Sequence, residues 1–579
     1  MFDRARRGAV KRLAPVKTGR GWNPALLCLA GVVACSGAIL LLLQSHFTFV
    51  RDDWDLLLYR RGTSAGAFLD PHNEHIVLAP VSIYKLLLAS FGMESALPFQ
   101  VVSTLVFLLS AVLLFIYLRR RVGDWAALLG TSLILFLGAA WRDLLWSFQV
   151  GFSGSVAAGL GMLLALDRDD RDGDHLACGM LVVSFAFSSL GLAFAAGAVV
   201  DLLLSRRPRA GRLYVAVVPL TLFGLWWLGW GHTAESYLSL HNLATAPEYV
   251  FDAVSQAIAS LLGLATPLGG FSTASAGQPS GLAGLDWGRI LLVVAIGLAG
   301  WRLRRLGGVP RALWIALAVG GAFWLLAAFN WDPVYRPPTS GRYQYPGAIF
   351  VLLIAAELLR GVRVGRRPFA GAAVVTGVAV ISGLAFLHDG YKLRKSESDV
   401  ERAQLAAVET ARQTVAPGFT LTSGFNRIYA GAYLSAVDAF GSPAYTQVEL
   451  VSSPGPARTA ADEVLAKALP IGLAPASRAS PRAAAGQGPA GRRCRTVQAS
   501  PAGATGLLLR PGEFTLKARA ATEVGVLLGR FSDDLPVDLG TLGPGPAGSL
   551  TIPADRSSRP WRLGLKGAGP ITVCFACAV

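Results

Sequence analysis

Three carboxylates, Asp52, Asp53 and Asp55, crowd the stretch RDDWDLLLYRRG directly after the apolar run Leu26–Leu43. A little further on, DPHNEH at 70–75 adds His72, Asn73, Glu74 and His75. Acids, imidazoles and an amide at this density can take a proton from a hydroxyl, orient a polar acceptor or contact a phosphate. Taken singly, each has an ordinary explanation: an acidic doublet caps a helix, and Asp70-Pro71 makes a turn. As a set they describe a site. In a helix begun near Asp52, Asp55 and Tyr59 share its face while Asp53, Leu56 and Leu57 turn elsewhere, so the two adjacent acids diverge. One can then face a pocket while its neighbour orients it. An aspartate at the rim of an apolar cavity can have its pKa raised toward useful basicity.

Two more stretches carry groups of the right kind. RPPTSGRYQYPG at 336–347 offers Arg336, Arg342, Tyr343 and Tyr345, and its two arginines are the only basic residues between 331 and 345. Guanidinium forks match phosphate oxygens in pairs, and tyrosines just before an apolar run also serve as interface anchors. AAWRDLLWSFQ at 139–149 adds Trp141, Arg142, Asp143 and Trp146, where a surface contact between Arg142 and Asp143 is the plainer alternative.

The elements that position these groups follow from composition. The chain has 579 residues, 53% hydrophobic and only 15% charged, with a mean hydropathy of +0.48. That is too apolar for a soluble enzyme. The net charge of +17 sits in short arginine clusters between apolar runs, without the aromatic interleaving of a nucleic-acid surface, so no nucleic-acid partner is expected. Placing a helix at each sufficiently long run predicts about eleven spans. They fall near 25–45, 97–118, 124–141, 150–166, 176–189, 191–204, 212–230, 289–303, 312–329, 346–360 and 369–388. With the N-terminus inside, the inner segments hold 24 Lys and Arg and the longer outer loops 7, as the positive-inside rule requires. Ile76–Phe91 is apolar but short and contains Pro80 and Lys85, so an interfacial helix is expected there. The acidic stretch then lies in an outer loop, 46–96. The inner run DRDDRDGD at 167–174 reads as a solvated turn.

Past residue 390 the long apolar runs stop. A helix is expected over 392–415, strands in FTLTSGFNRIY and YTQVELV, an Ala/Pro/Gly-rich linker over 453–505 and a β-sandwich from 506 to 579, where short alternating runs are separated by turn residues. The basic segment 1–24 stays inside, 25–390 forms the transmembrane domain and 391–452 opens the outer domain. Cys494, Cys574 and Cys577 lie outside, where disulfides persist, and Cys494 is expected to pair with Cys574 or Cys577. A metal site in CFAC lacks a second CxxC or nearby histidines.

A long first outer loop opening on an acidic doublet, an amphipathic helix after it, about eleven spans and an outer C-terminal domain resemble the GT-C superfamily of membrane glycosyltransferases. These use polyprenyl-phosphate sugars and include protein O-mannosyltransferases, aminoarabinose transferases and arabinosyltransferases. The resemblance covers roughly 20–390. Asp52-Asp53 matches the family's acidic doublet, which implies a general base or acceptor-orienting acid there, and on that pattern Asp53 is preferred to Asp52. His72, Asn73, Glu74 and His75 would assist, with Arg142, Arg336, Arg342, Tyr343 and Tyr345 on the sugar phosphate. WWLGW at 226–230 lacks the acid of the oligosaccharyltransferase Trp-Trp-Asp motif, and Asp-Asp departs from the Asp-Glu of protein mannosyltransferases.

The expectation is thus a mainly α, polytopic plasma-membrane protein, GT-C-like, with an extracytoplasmic α/β region ending in a β-sandwich. It would transfer a sugar from a lipid-linked donor to an envelope glycan, lipid or protein. No nucleotide-binding glycine loop is present, which suits a lipid-linked donor. No cofactor is required by the sequence, and a divalent cation is compatible with it. The competing expectation is a transporter or a non-enzymatic envelope scaffold whose outer domain binds glycans; such a transporter should show broken or charged helices at mid-membrane in repeated halves.

Overall fold

The computed structural model describes residues 23–205, 207–264, 285–333, 336–424, 426–475, 493–501, 503–518, 523–544 and 547–575. The basic cluster expected inside, and Cys577, lie outside the described residues.

The first part of the chain is helical: α1 (Pro24–Gln44), α2 (Asp52–Trp54), α3 (Ala65–Leu69), α4 (Leu78–Phe91), α5 (Leu97–Val122), α6 (Asp124–Leu135), α7 (Trp141–Leu144) and α8 (Val150–Leu166). It continues through α9 (Arg171–Phe187), α10 (Gly191–Leu204), α11 (Tyr214–Gly229), α12 (Leu240–Leu261), α13 (Leu285–Leu306), α14 (Arg311–Phe329), α15 (Gly341–Leu358) and α16 (Arg366–Thr410). A helix stands at each of the eleven expected segments. By length and composition alone, six among the described residues can cross a membrane: α1, α5, α14, α16 and the runs Asp124–Leu144 and Ser147–Leu166. The chain is a multi-pass membrane protein. Large apolar side chains such as Leu225, Val293, Val374 and Ile381 stay exposed on the helix flanks, where lipid covers what water would not.

Several expectations change. α12 fills the outer stretch expected to be a loop; it is amphipathic rather than uniformly apolar, so no long run announces it. Asn242 at its start donates to the carbonyls of Phe329 (3.1 Å), the last residue of α14, and Trp331 (3.0 Å) just beyond it, and Ser260 at its end donates to Gln344 Oε1 (2.9 Å) early in α15. The helix therefore runs across the ends of its neighbours. The acidic run is a solvated turn over 167–172, where Asp167 pairs with Arg121 and Asp170 caps α9, but its last acid is not: Asp174 is buried against Arg212 (2.8 Å). The helix expected from 392 is the second half of α16, a single element of 45 residues that rises roughly 68 Å, about twice the apolar thickness of a bilayer. Lastly, YTQVELV holds a short helix, Gln447–Ser452, rather than a strand, with Thr446 and Glu449 forming a reciprocal cap.

After α16 the chain continues with β1 (Thr420–Ser423) and β2 (Asn426–Tyr429), then α17 (Ala430–Phe440), α18 (Gln447–Ser452) and α19 (Gly455–Ala468). α19 occupies the front of the expected linker. Its alanines Ala457 and Ala461, with Leu465, are fully buried, and small side chains let it pack closely on α16. Asp462 accepts the backbone N–H groups of Arg530, Phe531 and Ser532 (2.9, 2.9 and 3.0 Å), locking α19 to the strands. Those are β3 (Leu473–Pro475), β4 (Arg493–Ala499), β5 (Ala504–Leu509), β6 (Gly512–Ala518), β7 (Val524–Gly529), β8 (Val537–Leu542), β9 (Gly548–Ile552), β10 (Trp561–Lys566) and β11 (Gly569–Phe575). They pair antiparallel in two sheets, ordered β5-β10-β7-β8 and β3-β9-β6-β11-β4. Period-2 alternation buries Val526, Leu528 and Leu563 from one sheet in the same core as Leu516, Leu550 and Val573 from the other. Cys494 and Cys574 face each other across β4 and β11 and are disulfide-bonded.

Candidate active site

The loop after α1 turns sharply at Arg51, whose φ of 55° is unusual for a side-chain-bearing residue, and this turn starts α2 at Asp52. A wide helical turn over Asp55–Tyr59 follows. Asp52 and Asp53 diverge as the helical spacing predicts. Asp53 is wholly buried, accepting from the Val50 N–H (3.0 Å), Tyr84 Oη (2.5 Å), Trp146 Nε1 (3.1 Å) and Ser147 Oγ (3.0 Å). Its four donors staple the loop to α4 and to the 146–147 turn. Burial pushes its carboxyl up. Asp53, preferred as the base on the family pattern, thus faces the interior, and Asp52 is the member of the doublet that lines a cavity.

That cavity has a volume of about 320 Å³. His72 sits between two acids, its Nδ1 3.1 Å from Asp55 Oδ2 and its Nε2 3.5 Å from Asp52 Oδ1. Burial lowers the pKa of His72, but the two carboxylates outweigh it and push it up to about 10. Burial also opposes ionisation of Asp52, yet His72, the Asn426 amide and Arg342 hold its carboxyl below the ordinary range. The expected upward shift therefore belongs to Asp53 and not to the acid on the cavity. His72 and His75 exchange both backbone hydrogen bonds (3.0 Å each) around Asn73, which takes the left-handed φ of 52° that Asn tolerates. This tight turn presents Glu74 and His75. Ser189 Oγ braces it by donating to the Glu74 carbonyl (3.1 Å). Burial pushes His75 down to about 4, aided by Arg336 and Arg342, so it is neutral at physiological pH.

The arginines come from four parts of the chain: the loop after α1, α7, the segment leading into the first turn of α15, and α16. Arg336 makes a two-pronged contact with Glu74, with Nη2 to Oε2 at 2.8 Å, and lies over the Tyr237 ring. Arg142 and Arg342 line the same space. Arg142 and Asp143 are both buried, not a surface contact. Arg51 bonds Glu397 (2.6 Å), which also meets Arg394 (3.4 Å). Five guanidiniums thus line the cavity together with three carboxylates, Asp52, Glu74 and Glu397. A second cavity of about 330 Å³ shares Glu74, His75 and Phe152 with the first and is otherwise largely apolar, with Leu190, Phe223, Trp227 and Phe323 among its walls. Tyr343 lines this second space. Tyr345 lines neither: it is fully buried, 2.6 Å from Ser110 Oγ.

Of the residues named from sequence, Asp52, His72, Asn73, Glu74, His75, Arg142, Arg336 and Arg342 share the first cavity. Sequence reasoning missed Arg51, Arg394, Glu397 and Asn426. The first three stand in charged stretches flanking apolar runs, RDDW and YKLRKSES, and that placement was the available signal. Asn426 carries none, being 374 residues from Asp52. Among the described residues no three His, Cys, Asp or Glu side chains are grouped to hold a metal ion.

No protein-family profile matches the chain, and no curated protein matches it. A solved structure, ArnT from Cupriavidus metallidurans bound to undecaprenyl phosphate, is similar at 12% identity over 69% of this chain and 82% of that one, with a TM-score of 0.41. A likeness of that degree assigns no chemistry.

Proposed function

We propose that this chain is a GT-C-like membrane glycosyltransferase that moves a sugar from a polyprenyl phosphate to a hydroxyl on an extracytoplasmic glycan, lipid or protein. The observation that carries the reading is an arginine-rich cavity with an ionised aspartate that shares Glu74, His75 and Phe152 with a largely apolar cavity beside it. An amphiphile with a phosphate head and a prenyl tail has that same division. In this reading eleven helices span the plasma membrane with the N-terminus inside, α4 and α12 lie at the outer interface, and the two outer sheets form a sandwich.

Within this reading the residues take the following roles. Arg142, Arg336 and Arg342 hold the phosphate, which is the leaving group: the C1–O bond to phosphate breaks as the acceptor oxygen bonds C1. The developing negative charge on the lipid phosphate is met by guanidiniums already fixed in place. The acceptor hydroxyl becomes acidic as its oxygen bonds C1, and its proton passes to Asp52, which is ionised at neutral pH. His72, held cationic between Asp52 and Asp55, orients that carboxylate, and neutral His75 with Asn73 is placed to contact sugar hydroxyls. Purified parent and Asp52→Asn protein, supplied with a panel of polyprenyl-phosphate pentoses and hexoses and isolated envelope as acceptor, test this. Transfer by the parent and a loss of about 10²–10⁴-fold in Asp52→Asn is expected. No transfer from any panel member, or an Asp52→Asn variant as active as the parent, would overturn it.

A further inference from the structure

Asp52 is held from a direction the membrane part of the chain does not supply. Asn426, the first residue of β2 in the outer domain, donates its side-chain N–H to Asp52 Oδ1 at 3.0 Å. The His72 Nε2 approaches the same oxygen. Both contacts fall on Oδ1, and among the described residues no hydrogen bond reaches Oδ2, on a carboxylate that borders the cavity.

The hairpin carrying Asn426 is docked with care. Ser423 Oγ accepts the Arg51 N–H (2.7 Å) and donates to the buried Glu401 carboxyl (2.6 Å). Tyr59 Oη donates to the Arg427 carbonyl (2.7 Å) and accepts from the Tyr429 N–H (3.1 Å). Gly424, at φ +62°, lies so close to Arg51 that an added Cβ would meet its Cγ at 3.0 Å. The strained backbone of Arg51 is thus fixed from both sides at the residue preceding Asp52, and such strain persists where the surroundings over-determine it and is concentrated at functional sites.

We propose that Asn426 is a positioning residue of the transfer reaction: by holding Oδ1 it turns Oδ2 of Asp52 toward the acceptor, so the outer domain completes the active site. This rests on the reading of Asp52 as the base. The charged and titratable groups around Asp52 are Arg51, Asp55 and His72 from its own loop, Arg342 from α15, and, lining the same cavity, Glu74, His75, Arg142, Arg336, Arg394 and Glu397. Asn426 adds a neutral donor to this set, and a donor to the ionised form favours ionisation. Its removal makes Asp52 easier to protonate, so the acid limb of the rate profile moves to higher pH.

Full-length parent, Asn426→Ala, Asn426→Gln and Asp52→Asn, assayed with the same panel of polyprenyl-phosphate sugars, separate the possibilities. Asn426→Ala should lower kcat about ten- to a hundredfold, as expected for one hydrogen bond to a charged group. Donor KM should hold, the acid limb should shift up, and Asn426→Gln, which keeps an amide donor, should recover part of both. An Asn426→Ala protein with the parent's kcat and acid limb overturns the proposal, as does a loss that merely tracks melting temperature in both variants. If instead Asp52→Asn is as active as the parent, the failure lies with the base assignment and not with Asn426 alone.

Discussion

Two charged cavities of nearly equal size lie at opposite ends of α8. The one at its C-terminal end, about 300 Å³, is lined by Arg121, Arg311 and Arg360 with Asp167, Asp169 and Asp201; the other, about 320 Å³, holds the candidate site. The first is closed on itself. Arg121 forks onto Asp167 (2.9 Å twice) and also meets Glu357, Arg311 meets Asp201 (2.5 Å), and Asp201 in turn holds Arg212 (2.9 Å). Every lining guanidinium there has a carboxylate. At the other end five guanidiniums line the cavity with three carboxylates, aromatic rings form much of the wall, and an apolar space adjoins. Arginine density therefore does not mark a site; a surplus of arginine over acid, beside an apolar compartment, does.

The largest effect expected from breaking this contrast is on stability. Arg121→Met leaves Glu357, itself buried, and Asp167 without their fork, and removing one partner of a buried pair costs about 3–5 kcal/mol. Melting in detergent should show that loss while donor affinity stays at the parent's value. A matching loss of donor affinity would mean that the two ends are not separate.

The next effect is on binding. Arg342→Ala removes a guanidinium from the cavity lining, and contacts to a charged group are worth about 1.5–3 kcal/mol; donor affinity should fall about ten- to a hundredfold. Arg342→Lys keeps the charge without the fork and should fall between parent and Ala. Titration with polyprenyl phosphate checks this, and an unchanged affinity in Arg342→Ala would return the 336–347 segment to interface anchoring.

A pH dependence separates the two ends further. The folded pKa of His72, about 10, lies above its ordinary value of about 6.5. The stabilisation it brings is present in full below about 6.5 and is lost as pH rises toward 10. The slope is at most about 1.4 kcal/mol per pH unit. Asp52 and Asp55, held low, act on the acid side instead, losing their contribution as pH falls below the usual carboxylate range. Guanidiniums at the other end do not titrate here. Stability measured from pH 6 to 10 should decline more steeply in the parent than in His72→Gln, and parallel curves would show that the imidazole is not charged between its two acids.

How far the sequence foretold this can be followed residue by residue. Helix positions were legible because apolar runs of bilayer length have few other uses. The cavity residues at 72–75, 142, 336 and 342 were legible because charge beside an apolar run is expensive enough to need a reason. α12 was hidden by its amphipathic pattern, and α19 by a composition that reads as linker until a partner helix buries its alanines. The choice between Asp52 and Asp53 could not be read at all: helical spacing says that the two diverge, but which one meets Tyr84, Trp146 and Ser147 depends on packing between elements far apart in the chain. Asn426 was invisible for the same reason.

The smallest effect tests the boundary of the site within a single motif. Tyr343 and Tyr345 were paired by sequence, yet an α-helix turns about 100° per residue, so residues two apart face nearly opposite ways. Tyr343 reaches the apolar cavity, and Tyr345 is buried against Ser110. Tyr345→Phe deletes one buried hydroxyl contact, and since Ser110 Oγ still has the Phe107 carbonyl as a partner (2.6 Å), the loss should stay near 0.5–1.5 kcal/mol of stability, roughly one hydrogen bond. Donor KM should not move. Tyr343→Ala should do the reverse, raising donor KM by removing an aromatic wall from the apolar cavity, with little change in melting. If Tyr345→Phe alters donor KM while Tyr343→Ala does not, the apolar compartment is not where the donor's tail lies, and the division of the site into polar and apolar halves loses its support.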